Sequence, residues 1–158
     1  MRRVRAKVPY HQAVEVETRQ AALCVVREGA AFLVVEIVDP RTGAVLHRPP
    51  GGGVEPGETP EQAVLREMVE ELGITLTRVH PLGTIDHVWQ WSGREVHERA
   101  WIFQAEASDA RLGRTQTPDI VEADGQRHAT RWRVAEKAQG LPPLCPSNLL
   151  DFLRADAG

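Results

Sequence analysis

The chain has little of what stabilises small extracellular domains or anchors a protein in a membrane. It contains two cysteines in 158 residues, Cys24 inside an apolar run and Cys145 between prolines, and they form no Cys-x-x-Cys or metal-ligand pattern. The longest apolar runs, such as residues 21–26 and 30–35, are far too short to span a bilayer. The sequence therefore predicts free thiols, no membrane helix and a location in the cytoplasm.

The chain also lacks a strong excess of either charge. With 19 basic and 22 acidic residues its formal net charge is −3, which provides no general attraction to nucleic acid. The first seven residues are basic, but no apolar segment follows, so they do not form a signal peptide. We predict a tail or edge segment at residues 1–17 and a single domain at residues 18–158, with no DNA-binding domain. A homodimer stays open.

Apolar, β-branched segments separated by turn residues predict several strands. The strands are predicted at residues 19–27, 30–38, 44–48, 77–91, 94–107 and 128–134. Residues 49–53, Pro-Pro-Gly-Gly-Gly, are predicted to be irregular, and residues 147–155 to form a terminal helix with Ser147 as its N-cap.

A two-residue turn at Ser92-Gly93 would join the two long strands in a hairpin and set their register. The opposed pairs predicted from this turn are Trp91 with Arg94, Trp89 with Val96, His87 with Glu98, and Asp86 with Arg99.

Residues 60–72 have both the start and the stop signals of a helix. Thr59 and Gln62 form a Thr-x-x-Gln capping box around Pro60, and Gly73 is a C′ residue. At about 100° per residue, three carboxylates fall on one face of this helix and an apolar stripe on another. The carboxylates are Glu67, Glu70 and Glu71, and the stripe is Val64, Leu65, Met68, Val69 and Leu72. Because like charges repel, this acidic face predicts bound divalent cations, Mg²⁺ first and Mn²⁺ second.

The acidic helix belongs to a longer spacing, Gly-x5-Glu-x7-Arg-Glu-U-x-Glu-Glu-x-Gly-U with U apolar, over residues 52–74. A chance match to this spacing has a probability on the order of 10⁻⁸ at average residue usage. The stretch, called the box below, resembles the Nudix box, and residues 57–67 look particularly like MutT-type nucleoside triphosphate pyrophosphatases. The resemblance is strongest at residues 48–74.

The resemblance implies an α+β Nudix fold, a mixed β-sheet sandwiched between α-helices. It also implies Mg²⁺-dependent hydrolysis of a nucleoside diphosphate linked to another moiety, most simply a nucleoside triphosphate. By motif position, Glu67, Glu70, Glu71 and the Gly51 carbonyl would be metal ligands, with a carboxylate as the base. Glu58 and Arg66 would brace the loop and the helix.

Residues outside the box are weaker candidates. Trp89 and Trp91 alternate onto one strand face, where a base could stack or where they could simply pack against the sheet. Arg48, just before the glycine segment, is a third substrate-binding candidate. Glu98 is either a further metal ligand or base, or a cross-strand partner of His87. Many Nudix relatives carry a catalytic acid in the region of Glu122 and Asp124.

Two classes of alternative stay open. Within enzymes, the substrate could be a dinucleoside polyphosphate, a nucleotide sugar or an RNA 5′ end, although RNA favours a basic groove. The other class is a non-catalytic Nudix-fold regulator that binds a nucleotide. The three intact glutamates argue against it, because a pure binder has no chemical need for all of them.

Overall fold

The computed structural model describes residues 17–106, 112–113, 117–135 and 140–156. In this part of the chain the elements are β1 (Thr18–Glu28), β2 (Ala31–Val38), β3 (Val45–Arg48), β4 (Gly51–Gly53), α1 (Pro60–Leu72), β5 (Thr77–Trp91), β6 (Arg94–Glu106), β7 (Ile120–Val121), β8 (Arg127–His128), β9 (Thr130–Val134) and α2 (Leu149–Asp156). Apart from Glu17, the predicted tail or edge segment lies outside the described residues. No helix in these ranges is long and apolar enough to cross a membrane.

The main sheet contains seven strands in mixed orientation. Its central order is β3-β2-β1-β6-β5, with β4 added beside β1 and β9 beside β2. The β1–β6 pair is parallel, and the other pairs are antiparallel. A separate two-stranded sheet joins β7 and β8.

Helices cover the two faces of the main sheet. In β1, Ala22, Cys24 and Val26 face the cluster that contains α1, while Leu23 and Val25 face the cluster that contains α2. Because successive side chains of a strand point to opposite faces, an unbroken apolar run such as residues 21–26 is buried on both sides. The predicted α+β architecture, a mixed sheet between helices, is therefore confirmed.

Helix α1 has the predicted limits and caps. Thr59 and Gln62 form both hydrogen bonds of the capping box, and Gly73 ends the helix in the left-handed conformation with φ 65°. The apolar stripe is narrower than predicted. Leu65 and Val69 are exposed, whereas the helix packs on the sheet through Ala63, Val64, Met68 and Leu72.

The β5–β6 hairpin has the predicted register at all four pairs. Ser92 and Gly93 both have positive φ, 51° and 75°, as a two-residue hairpin turn requires. The long hairpin therefore places Trp89 and Trp91 near its tip, on the strand that follows the box.

Three further local predictions were wrong. Residues 51–53 are not irregular, because small glycines allow the backbone of β4 to pair with Ala21, Ala22 and Leu23 of β1. The strand predicted at residues 128–134 is divided at Ala129, where β8 pairs with β7 and β9 with β2. Helix α2 begins at Leu149, two residues after the predicted N-cap Ser147, and the Asn148 carbonyl accepts a hydrogen bond from the Phe152 N–H.

Candidate functional site

The glycine strand β4 lies directly against the acidic face of α1. The backbone N–H of Gly51 donates a hydrogen bond to Oε2 of Glu71 at 3.3 Å. A Cβ atom on Gly52 would lie 2.5 Å from Oε1 of Glu67, so only glycine allows this carboxylate its position. Gly51 is required for another reason, because its Cβ would overlap the Ala22 carbonyl oxygen. The glycine segment thus brings backbone polar groups within reach of two box glutamates.

Arg66 joins the loop before α1 to the helix. Its Nε and one terminal nitrogen donate to the two carboxylate oxygens of Glu58 at 2.7 and 3.0 Å, and the same terminal nitrogen donates to the Gly53 carbonyl at 3.0 Å. The other terminal nitrogen donates to Glu67 at 2.9 Å and to Glu70 at 3.1 Å. The predicted bracing contact between Arg66 and Glu58 is therefore present. Through these bonds Arg66 holds the end of β4 and the loop that follows it to the helix.

Burial and mutual repulsion raise the pKa of two box carboxyls. The pKa of Glu71 rises to about 8, first because the side chain is buried and then because of the charges of Glu67 and Glu122. Burial likewise raises the pKa of Glu67, with Glu70 and Glu122 adding to the effect. A nearby cation would relieve this unfavourable concentration of negative charge.

The candidate ligands are close in the fold but not gathered around one point. Among the described residues, no group of three Asp, Glu, His or Cys side chains is arranged to hold a metal ion. The Arg66 guanidinium accounts for part of this, because it holds Glu67 and Glu70 toward itself. Glu70 is also the most exposed of the three glutamates, at 59% of its side-chain surface.

A cleft of about 490 Å³ opens beside Glu71 and Gly51. One wall comes from β2 and β3, with Val35, Ile37 and Arg48, and another from the β5–β6 hairpin, with Trp89, Trp91 and Val96. The β7–β8 turn contributes polar side chains, which are Glu122, Asp124, Gln126 and His128. The cleft thus has an acidic part at the box and apolar side chains on two of its walls, which suits a ligand with a flat apolar part and an anionic part.

Trp89 and Trp91 face this cleft and belong to neither core cluster. Their ring centroids are 5.5 Å apart with planes tilted by 49°, so the rings contact each other at an angle. The tryptophans that pack against the core are Trp101 and Trp132. The predicted substrate-binding residues Arg48, Trp89 and Trp91 therefore share one cleft with Glu71.

Glu98 lies apart from the box glutamates. Its side chain is fully buried, accepts a hydrogen bond from Arg48 at 2.7 Å and lies 2.9 Å from Nε2 of His87. Burial alone would raise the pKa of this carboxyl, but His87 and Arg48 outweigh it and lower the pKa to about 2. Arg48 lines the cleft, whereas Glu98 is not among the described residues that line it. The predicted cross-strand contact with His87 is confirmed, and metal binding by Glu98 stays a prediction.

The tip of the β5–β6 hairpin is tied to the β2–β3 turn. One carboxylate oxygen of Asp39 accepts the Ser92 N–H at 2.9 Å, and the other accepts the Arg41 and Thr42 N–H groups at 2.8 and 3.3 Å. These hydrogen bonds lower the pKa of Asp39, with that from Ser92 contributing most. The contact joins the two walls of the cleft. Sequence reasoning missed it, because it connects positions 53 apart.

Arg19 was also missed as a cleft residue. It lines the cleft from the start of β1, and its Nε lies 3.6 Å from Oε2 of Glu98. The parallel pairing of β1 with β6 sets Arg19 opposite Glu98, and no turn in the sequence signals a parallel pair.

A family model described as NUDIX domain matches residues 17–146. The chain belongs to the Nudix family. The match covers the box, the cleft walls and the β7–β8 turn.

Individual relatives agree with this membership. The chain is 43% identical over 142 residues to the putative mutator protein MutT4 of Mycobacterium tuberculosis, covering 77% of this chain and 57% of the relative. It is 32% identical over 96 residues to an RNA pyrophosphohydrolase of Photobacterium profundum, covering 52% and 55%. The chain therefore spans a little over half the length of these curated relatives.

A solved structure of similar size supports the fold. The MutT Nudix hydrolase from Burkholderia pseudomallei superposes with a TM-score of 0.64 at 27% identity, over 87% of this chain and 98% of that one. The mixed sheet between helices is thus the Nudix fold.

Proposed function

We propose that this protein is a Mg²⁺-dependent pyrophosphohydrolase that cleaves a nucleoside triphosphate to the monophosphate and pyrophosphate. One observation carries the proposal. The box carboxylate Glu71 and the Gly51 backbone lie at one end of the same cleft whose walls contain Trp89, Trp91 and Arg48. A nucleotide has a flat base and an anionic chain, and this cleft offers a matching surface for each part.

The residues at the acidic end fit a hard divalent cation. Carboxylate and carbonyl oxygens are the ligands that Mg²⁺ and Mn²⁺ prefer. The box supplies Glu67, Glu70 and Glu71, and the residue before it supplies the Gly51 carbonyl. The absence of a side chain on Gly52 leaves the space that the Glu67 carboxylate occupies. When bound, the cation would neutralise phosphate charge and activate the attacking water.

The side chains have separable tasks in this proposal. Glu67 and Glu70 would turn from Arg66 toward the cation, while Arg66 keeps its two bonds to Glu58 and holds the loop. A carboxylate of the cleft, from Glu71 or Glu122, would accept the proton of the attacking water. That water attacks phosphorus, the phosphoanhydride P–O bond breaks, and pyrophosphate leaves with the electron pair of that bond.

The test is a substrate panel with product analysis. Purified protein is incubated with Mg²⁺ and ribo- and deoxyribonucleoside triphosphates, dinucleoside polyphosphates, a nucleotide sugar or a 5′-triphosphorylated RNA, and the products are separated by anion exchange. We expect monophosphate and pyrophosphate in equal amounts from a triphosphate, and none when EDTA replaces Mg²⁺. Because one relative is named as an RNA pyrophosphohydrolase, preference for the RNA would change the substrate class and keep the reaction. Absence of cleavage across the whole panel would refute the enzyme.

A further inference from the structure

Glu98 is the centre of a buried ionic cluster next to the cleft. Its Oε1 atom accepts a hydrogen bond from Arg48 at 2.7 Å and lies 2.9 Å from Nε2 of His87. Its Oε2 atom is buried without a hydrogen bond, and Nε of Arg19 lies 3.6 Å from it. A buried carboxylate requires such partners, because leaving it unpaired in a low dielectric is costly. Two of these partners, Arg48 and Arg19, line the cleft, while Glu98 itself does not.

Arg48 connects this cluster to the tryptophan wall. Its guanidinium carbon lies 5.4 Å from the centre of the Trp89 ring, and the Arg48 side chain is only 8% exposed. An arginine against a ring stabilises the ring orientation when its planar group is itself held in place. The hydrogen bond that Arg48 donates to Glu98 holds the guanidinium in place. The position of Trp89 therefore depends on a carboxylate that does not itself line the cleft.

Arg19 connects the same cluster to the box. Its side chain is about half exposed, and one terminal nitrogen lies 3.9 Å from the point where a Cβ on Gly53 would stand. The guanidinium is therefore beside Gly53 of β4, the strand that also carries the Gly51 carbonyl. A long arginine side chain loses much conformational freedom when it binds an anion, and a fixed partner at Nε reduces that loss.

We propose that Glu98 is a positioning residue of the substrate cleft and not a metal ligand: it holds Arg48 against Trp89 and Arg19 beside strand β4. This inference rests on the proposed function, because it assigns the base to the Trp89 wall and the phosphates to the box end. It differs from a purely structural role in one respect. Loss of the carboxylate weakens nucleotide binding in protein that remains folded.

The experiment compares wild type with Glu98→Gln in three measurements. Binding of GMP and AMP is followed in EDTA by tryptophan fluorescence, Mn²⁺ affinity by the electron paramagnetic resonance signal of free Mn²⁺, and steady-state kinetics with GTP and ATP. We expect the Kd for monophosphates and the KM for triphosphates to rise about 10-fold or more, with kcat changed less than about 3-fold. The Kd for Mn²⁺ should stay within about twofold of wild type, because no ligand is lost.

Glu36→Gln is the matched control. Glu36 is a half-buried carboxylate on β2 that pairs with Arg131 and His47, outside the cleft. Its substitution removes a similar ionic contact, and we expect wild-type nucleotide and Mn²⁺ affinities. Equal effects of Glu36→Gln and Glu98→Gln on nucleotide binding would overturn the proposal, since both would then act through general stability.

A second variant decides the matter if Glu98→Gln does not fold. Arg48→Lys keeps a cation for Glu98 but lacks the planar group that lies over Trp89. We expect it to fold, to bind Mn²⁺ normally and to bind GMP and AMP more weakly. In a folded double variant the two effects should be less than additive, because both substitutions act on the same contact with Trp89.

Three further results would overturn the inference. These are a weakened Mn²⁺ affinity in Glu98→Gln together with a large loss of kcat, unchanged nucleotide affinity in both folded variants, or a wild-type protein that binds neither monophosphate. Failure of the proposed function looks different. If the wild type binds GMP or AMP but hydrolyses no triphosphate, the proposed hydrolase activity is refuted. The binding titrations then still decide the role of Glu98.

Discussion

The carboxylate of Glu67 occupies the space in which Gly52 would carry a side chain. A Cβ atom there would lie 2.5 Å from Oε1 and 2.6 Å from Cδ of Glu67. The neighbouring Gly51 is constrained by the main chain instead, because its φ is 143° and a Cβ on it would overlap the Ala22 carbonyl oxygen. The absence of a side chain therefore makes room for a box carboxylate at Gly52 and for the neighbouring strand at Gly51.

Substitution of these glycines should separate activity from stability. Gly52→Ala displaces the end of a flexible side chain, so we expect Tm within about 2 °C of wild type and an activity loss of about 10- to 100-fold. Gly51→Ala forces a strained φ and a backbone clash, so we expect Tm to fall by about 5 °C or more. Thermal melts beside nucleotide kinetics measure both effects. Equal losses of stability in the two variants would show that Gly52 also serves the sheet.

The three box glutamates should be required for catalysis in the presence of metal. Changing Glu67, Glu70 or Glu71 to Gln removes a negative charge from the proposed cation site, and we expect kcat to fall at least about 10²-fold in each. Glu61→Gln is the control, because Glu61 is an exposed glutamate on the same helix at a variable position of the box. EDTA should abolish wild-type turnover and added Mg²⁺ restore it. Near-normal rates in all three folded variants would favour a nucleotide-binding regulator instead.

The raised pKa of Glu71 predicts a pH-dependent stability in EDTA. Its folded pKa of about 8 lies above the ordinary value of 4.5, so the folded state binds more protons than the unfolded state between these values. The contribution of Glu71 to the free energy of unfolding is therefore greatest at low pH and is lost as the pH rises from about 4.5 toward 8. We expect wild-type Tm to fall from pH 6.5 to pH 8.5 by roughly 2–6 °C more than that of Glu71→Gln.

His47 does not obscure this comparison. Burial lowers its pKa below the ordinary value of 6.5, so its contribution to stability rises with pH only below about 6.5. The other titratable groups are common to both proteins, so the difference between their melting profiles from pH 6.5 to 8.5 reports on the Glu71 carboxyl. Parallel melting profiles for wild type and Glu71→Gln across that window would contradict the prediction.

Trp91 should contribute to nucleotide affinity more than to folding. It lines the cleft and lies outside both core clusters, and base stacking on an aromatic ring is worth about 1–3 kcal/mol. We expect Trp91→Ala to raise KM by roughly 5- to 150-fold with little change in kcat, because stacking is similar in the ground and transition states. Trp132→Ala is the contrasting variant. Trp132 packs against the core, and its truncation should lower Tm strongly. A destabilised Trp91→Ala protein with unchanged KM would exclude stacking.

Features that depend on neighbouring residues were predictable. The capping residues Thr59, Gln62 and Gly73 define α1, and the Ser92-Gly93 turn defines the register of the nine pairs from Gly83 to Trp91, beyond which the register of β5 and β6 shifts. Each is set by interactions within a few residues or by a tight turn, so the local pattern suffices. The common face of the box glutamates was predictable for the same reason, since it follows from their spacing in a 13-residue helix.

The remaining features were decided by contacts between distant parts of the chain. The composition of residues 49–53 predicts irregular structure, yet residues 51–53 pair with β1 and form strand β4. The apolar periodicity of α1 predicts that Leu65 and Val69 are core residues, but the way in which α1 packs on the sheet leaves both exposed. Such outcomes depend on which surfaces meet, and an apolar periodicity alone does not specify that.

The sequence by itself determined the limits of α1, the acidic face that it carries and the pairing of the long hairpin, because short-range geometry controls all three. Only the tertiary structure decided that Glu98 pairs with Arg48, 50 positions away, and that Trp89 and Trp91 line the cleft while Trp101 and Trp132 pack against the core. The physical reason is that a buried carboxylate is stabilised by the oppositely charged group that lies next to it in the packed sheet. That pairing is made only when β1, β3 and β6 come together.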